Sequence, residues 1–312
     1  MHRYDIVTGV STGALQSTFA FLGTTTAPAD RILQAADDFP QSAAVPTRTN
    51  VNDTISGYTI SREATLYIDK GSAGMVRRAA KGSLSPLVTR LNKMITPETL
   101  RAVGAANAQN RKLYVALLNY DSGGAEVVDM TALAARYDGS NFARIQYCYN
   151  QVLLASSSEP LGAPPVSIDG NLYMDAAIRY AVFLKDVFAS SAIASSAAEF
   201  HTDIVVNDNL TVDPNDRGKQ KINILDIMGR ARLILVNQIY LFSVSDIINT
   251  RPPGHKVRFA AIRPSETAIA PPAKGATFDP VYMKRMIALG RKRGARGDWQ
   301  ALSEMAVMAG AE

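Results

Sequence analysis

The chain is poor in the residues that most often carry metal and redox chemistry. Its 312 residues include a single cysteine, Cys148, which excludes an intrachain disulfide and any cysteine-based zinc cluster. That suits a reducing compartment, although disulfide-free proteins also occur outside one. Three histidines (His2, His201 and His255) stand far apart and match no metal-ligand spacing, so neither a metal nor a cofactor is expected. No uninterrupted apolar run approaches the ~20 residues that a membrane span needs. The first residues carry no basic-then-apolar leader. Charge is also modest: 20% of residues, with a formal net charge of +5. That excess permits contact with anionic surfaces without requiring it. The basic residues lack an aromatic-interleaved pattern, so nucleic acid is not an expected partner.

What is present is an ordinary globular balance, 47% apolar, in a chain long enough for a substantial core. Asp5 to Thr8 reads as the end of a buried strand, and Thr12 to Leu22 as a helix. The stretch 28–58 reads largely as surface loop, with a short helix near Arg31 to Asp37. Tyr67 to Arg78, Pro86 to Met94 and Pro97 to Gln109 read as helical, the last behind the N-cap Thr96. "KLYVALLNY" (112–120) is apolar throughout, as a strand buried on both faces should be, and "AEVVDM" is its candidate hairpin partner. A helix over Asn141 to Ser156 leads to the Pro-rich "EPLGAPP". Next, Val166-Ser167-Ile168 and Leu172-Tyr173-Met174 face each other across Asp169-Gly170, a favoured two-residue turn. "TDIVVN" and "HKVRFAAIRP" read as further strands. Ile222 to Ile248 reads as a long helical stretch, continuous or broken, and Pro280 to Leu289 as a last helix. Strands alternating with helices indicate a layered α/β fold with a mainly parallel sheet. No linker interrupts the pattern, so residues 1–290 are expected to form one domain, with 291–312 a basic tail or helix.

The chemistry centres on "DIVTGVSTGAL". A G-x-S-x-G string gains meaning when a strand runs directly into a helix, because that tight turn exposes the serine. Here Gly9, Ser11 and Gly13 stand between a strand and "ALQSTFAFLG". The flanking glycines would relieve crowding in the turn, and the helix dipole would favour a developing alkoxide. Local context leaves two readings open: Ser11 as nucleophile, or Ser11 as a helix cap. A nucleophile needs a base. Ser11, Asp175 and either His201 or His255 follow the chain order of an α/β-hydrolase, but at most one strand precedes Ser11, where that fold lays down several.

A second block bears on the choice of base. "QVLLASSSEPLGAPPVSIDGNLYMDAAIRY" resembles the second signature block of the patatin-like phospholipase family. That block has a helix ending in Ala-Ser, a proline, then Pro-Pro-Val, a hairpin and Asp-Gly-Gly or Asp-Gly-Ala. Ala155-Ser156, Pro160, Pro164-Pro165-Val166 and Asp175-Ala176-Ala177 stand at those places. Asp5, Gly9, Ser11, Gly13 and Ala14-Leu15 match the family's first block, and "NYDSG" its middle section, in matching order from about residue 4 to 290.

The resemblance implies a three-layer α/β/α sandwich and a serine lipid acyl hydrolase, phospholipase A-like, acting on a phospholipid or other acyl-ester lipid. Carried over, Ser11 is the nucleophile of a Ser–Asp dyad and Asp175 its base, while Gly9, Thr12 and Gly13 form the elbow and oxyanion surroundings. Asp169 reads as turn chemistry instead. Two departures stand out. Asp175 is followed by alanines, which would strain the loop if those positions need positive φ. The family's glycine-rich oxyanion loop, normally tens of residues before the elbow, is missing. A chain starting inside its fold unit, or a degenerate relative, would each explain this, and the first is expected. The alternative function is a non-catalytic patatin-fold protein that binds lipid or membrane. Lys284, Arg285, Arg291, Lys292, Arg293 and Arg296 would then meet anionic headgroups, unless they are a solvated helix end. The expected location is cytoplasmic or peripheral to a membrane.

Overall fold

The computed structural model describes residues 3–31, 48–71, 73, 75–184, 187, 200–208, 210–212, 223–251, 253–263, 265–266, 277–302 and 304. It divides into two compact units, Met1–Ala176 with Pro272–Ile287, and Ala177–Pro271 with Ala288–Glu312. The short helix expected near Arg31 to Asp37 lies mostly outside the described residues.

The first unit is built on a mixed sheet. Strand β1 (Ile6–Gly9) leads into helix α1 (Thr12–Leu22), on the bounds read from sequence. Helix α2 (Asn50–Tyr58) follows, and then β2 (Ile68–Asp69), α3 (Met75–Arg78) and β3 (Gly82–Ser83). Helices α4 (Ser85–Met94) and α5 (Pro97–Asn107) precede β4 (Lys112–Asn119), β5 (Ala125–Asp129) and α6 (Met130–Ala135). Helix α7 (Phe142–Ser156) runs into the hairpin β6 (Val166–Ile168) and β7 (Asn171–Asp175). The α/β class read from sequence holds. The sheet combines one parallel pair, β1 with β4, and three antiparallel ones: the hairpins β4–β5 and β6–β7, and β7 against β4.

Strand β4 organises this sheet, and Leu113, Val115, Ala116 and Leu117 on it are all nearly inaccessible. β5 pairs with it over Tyr114 to Leu118, β1 over Lys112 to Val115, and β7 over Leu117 to Asn119. Since β5 overlaps both of the others, β1 and β7 must share the opposite edge of β4. They approach each other end to end along it. Helices α1, α6 and α7 pack on this strand.

Two buried arginines tie elements of this unit together. Arg111 donates to the carbonyls of Tyr4 (3.0 Å) and Phe21 (2.6 Å) and lies 4.2 Å over the Phe21 ring. It thereby joins the start of β1 to the end of α1, where a helix leaves carbonyls without partners. Arg31 bonds Asp53 (2.6 Å), Asn50 (3.0 Å), Thr99 (3.0 Å) and the Met94 carbonyl (3.1 Å), linking α2 to α4 and α5.

Sequence and structure part in three places here. The expected loop over 28–58 contains α2, fixed by a reciprocal cap between Thr49 and Asn52. The expected helix over 67–78 is reduced to α3, because Asp69 turns the chain by accepting from the Gly71 N–H and β2 pairs with β3. The Asp169-Gly170 hairpin forms with both residues at positive φ (49° and 87°), but Val166 pairs with Tyr173 and Ile168 with Asn171.

The second unit holds the parallel pair β8 (His201–Val205) and β9 (Lys256–Ala260), with α8 (Ile224–Thr250) between them in sequence. Ile204, Leu210, Val244, Ile247 and Phe259 are at its core. Helix α8 is unbroken, and its 25 residues Asp226–Thr250 are long and apolar enough to cross a membrane, by length and composition. Arg230, Arg232, Asn237, Gln238 and Asp246 interrupt that composition, which is why no continuous apolar run marks it in the sequence. Helix α9 (Pro280–Arg296), expected to end at Leu289, extends beyond it.

Candidate functional site

Ser11 occupies a backbone conformation that suits glycine. The Gly13 N–H bonds the Val10 carbonyl at 2.8 Å, closing a turn with Ser11 at its first central position, φ 57° and ψ −129°. This is the geometry of a type II′ turn, which normally takes glycine there. Strain of ~1–3 kcal/mol persists only where the surroundings fix it. The Ser11 side chain makes no helix-cap bond, contrary to the cap reading.

The two flanking glycines differ. A Cβ on Gly9 would lie 2.8 Å from both the Ala14 Cα and the Gly13 carbonyl, so the approach of α1 to β1 requires glycine there. A Cβ on Gly13 would meet nothing within 4 Å. Gly13 also uses its own N–H in the turn, whereas the Thr12 N–H, in the first turn of α1, has no such bond. The Thr12 carbonyl accepts from the Tyr58 hydroxyl at 3.2 Å. Burial, opposed by a bond to Gln16, pushes the Tyr58 pKa above its ordinary value and keeps that hydroxyl protonated.

Asp175 ends β7 opposite Leu117, and Gly9 ends β1 opposite Val115. Those two β4 residues are two apart, so the strand ends are separated along the edge by ~7 Å at about 3.3 Å per residue. Ser11 follows Gly9 at this junction, and the topology thus brings Ser11 and Asp175 to one place. Asp175 is 2% exposed. The alanines after it open a short 3-10 turn, and neither has positive φ. The strain considered for glycine-requiring positions is therefore absent.

Three consecutive serines at the end of α7 hold both strand ends, a feature the sequence reading passed over as a helix ending in small residues. The Ser156 Oγ accepts from the Ser11 N–H at 3.0 Å. The Ser157 hydroxyl shares its proton between the Leu153 carbonyl (2.9 Å) and the Ser11 carbonyl (3.2 Å). The Ser158 carbonyl accepts from the Asp175 N–H at 3.1 Å. Ser156 and Ser158 are fully buried. Helix α7 is itself anchored to α1 through Tyr149, whose hydroxyl lies 2.8 Å from the Thr18 Oγ1.

The histidines weighed as alternative bases belong to the second unit. His255 is buried, with its Nε2 2.8 Å from the Thr202 Oγ1. Burial, Arg251 and His201 lower its pKa. His201 opens β8 at the surface. Asp169 sits at positive φ in its hairpin turn, as turn chemistry requires. Among the described residues no three His, Cys, Asp or Glu side chains gather as a metal site. Of the basic C-terminal residues, Arg293 is engaged internally with Glu266 (3.3 Å) and the Ala261 carbonyl (2.8 Å). Lys284, Arg285, Arg291, Lys292 and Arg296 are exposed.

No curated protein matches the chain. The family model for patatin-like phospholipases matches residues 1–188, which include β1, the Ser11 turn, α7 and Asp175. With that match covering more than half its length, the chain belongs to the patatin-like phospholipase family.

Proposed function

We propose that the protein is a serine acyl hydrolase of phospholipids or related acyl-ester lipids, working through a Ser11–Asp175 dyad. Family membership supports lipid acyl hydrolysis in general. The observation that carries the specific assignment is the convergence of the strained Ser11 turn and the end of β7 on one edge of β4.

In this reading the Asp175 carboxylate takes the proton as the Ser11 Oγ attacks the ester carbonyl. The tetrahedral oxyanion develops beside the N-terminus of α1, where the Thr12 N–H and the helix dipole oppose its charge. Collapse breaks the ester bond, and the leaving alcohol takes the proton back from Asp175. Water then attacks the acyl-enzyme with Asp175 again as base, releasing the fatty acid and restoring the Ser11 hydroxyl. Burial of Asp175 serves this by excluding competing solvent, which strengthens its interaction with a nearby hydroxyl. Each further oxyanion donor supplied or withheld changes the rate by about 10²–10³-fold. Thr12 is the donor assigned here.

The test is hydrolysis of phospholipid vesicles and of a short-chain ester by the wild type, Ser11→Ala and Asp175→Asn. Loss of turnover by about 10⁴-fold or more in both variants is expected. Full activity in either would remove the dyad.

A second reading, a lipid-binding protein without turnover, draws on α8. Ile224, Ile227, Leu235 and Phe242 there are more than half exposed, an apolar surface suited to a lipid interface. Sedimentation with anionic vesicles accompanied by no ester cleavage and no covalent modification of Ser11 would favour it.

A further inference from the structure

We infer that Ser156 is a positioning residue for the reaction: its hydroxyl oxygen fixes the Ser11 backbone, and the helix end that carries it fixes Asp175 as well. The inference rests on the hydrolase reading above and goes beyond it in naming what holds the two groups in register.

Three observations carry it. Ser11 is held at φ 57° although it is not glycine, so some contact must oppose its relaxation. The Ser156 Oγ, 3.0 Å from the Ser11 nitrogen and 0% exposed, is a direct contact of this kind from another element. Two residues later, just past the helix end, the Ser158 carbonyl takes the Asp175 N–H, so one short segment holds both partners, one by a side chain and one by its backbone. Ser157 contributes less: its single proton is shared with Leu153, and the Ser11 carbonyl already accepts from the Ala14 N–H at 2.9 Å. Ser156 touches the backbone of Ser11 and acts through it. Removing its oxygen leaves a strained peptide N–H with no acceptor, and the turn can relax away from Asp175. A displacement on the order of 1 Å at a reacting group costs about a hundredfold in rate.

The experiment compares wild type, Ser156→Ala and Ser156→Cys in steady-state hydrolysis of a soluble short-chain ester and in the rate of fluorophosphonate labelling of Ser11, with thermal melting as the check on folding. Cysteine fills the serine volume but accepts hydrogen bonds weakly. Both variants are expected to lose kcat by about ten- to a hundredfold with KM within about twofold, and to label more slowly by a similar factor. Should Ser156→Ala fail to fold, Ser156→Cys carries the same reading. Wild-type kcat in Ser156→Cys, or a loss confined to KM or to melting temperature, would overturn the positioning role while leaving the hydrolase assignment intact. A wild type that neither hydrolyses nor labels would overturn the hydrolase assignment, and activity that survives Ser11→Ala would overturn the dyad; either result overturns this inference too.

Discussion

Helices α1 and α8 are both mainly apolar, and they place their side chains in opposite ways. In α1, eleven residues long, Ala14, Ser17, Thr18, Phe19, Phe21 and Leu22 are buried, and Arg111 closes its C-terminal end. In α8, twenty-seven residues long, Leu241, Val244, Ile247 and Ile248 reach the core of the second unit, while Ile224, Ile227, Leu235 and Phe242 face outward. Apolar composition therefore says little about burial until the packing partner is known. A short helix wedged against a strand has few free surfaces. A long one supplies more apolar surface than a small unit can cover.

Phenylalanine occurs in both helices and gives the largest contrast. Phe21 is 2% exposed and Phe242 is 67% exposed. Truncating Phe21 to alanine should destabilise the fold by ~3–5 kcal/mol, as for a core aromatic. Phe242→Ala should shift stability by no more than about 0.5 kcal/mol. Denaturant unfolding measures both, and equal costs would show that the outward face of α8 is covered.

Around the serine turn a finer contrast separates its two flanking glycines, Gly9 at the end of β1 and Gly13 in α1. Gly9→Ala forces a Cβ into backbone atoms of α1 and should cost ~1–3 kcal/mol. Gly13→Ala meets open space on a helix and should be neutral or stabilising by up to ~1 kcal/mol. Thermal melts of the two variants decide this, and a destabilised Gly13→Ala would mean that its side-chain space is filled.

The smallest effect concerns acid. Burial would raise the Asp129 pKa, but Lys112, Thr131 and the Ala132 N–H outweigh it and hold the carboxyl below its ordinary value. In the second unit the Arg263 bond, chiefly, lowers that of Asp298. A depressed carboxyl pKa gives stability that is complete above the unfolded value near 4 and is lost as pH falls through the folded one. Both units should therefore weaken modestly below about pH 4, while the contribution of these groups stays complete and constant around neutral pH. Melting temperatures across pH 2–7 check this, and a loss beginning near pH 6 would point to other groups.

Much of the first unit was legible because local signals agreed with one another. The strand before Ser11, the Thr12 start of α1, the apolar β4 and the Asp169-Gly170 turn each coincide with what the chain builds. Helix α2 was not legible: only Asn50, Asp53 and Gly57 on it are buried, and polar burial leaves no apolar period. Its cap uses Asn52 where a glutamate or glutamine is the usual sign. The candidate dyad was readable as two separated motifs. Its convergence was not, because it depends on β1 and β7 sharing one edge of β4. Nor was the role of Ser156, since a serine ending a helix looks the same whether it bonds its own helix or, as here, a strained peptide 145 residues away.

The most direct test of the Ser11–Asp175 assignment is covalent. Incubation of the whole chain with a fluorophosphonate, followed by peptide mass spectrometry, should place a single phosphonyl adduct on Ser11. Labelling should be abolished in Ser11→Ala and strongly slowed in Asp175→Asn. An adduct on another serine, or labelling of Ser11 at the wild-type rate without the Asp175 carboxylate, would contradict the account.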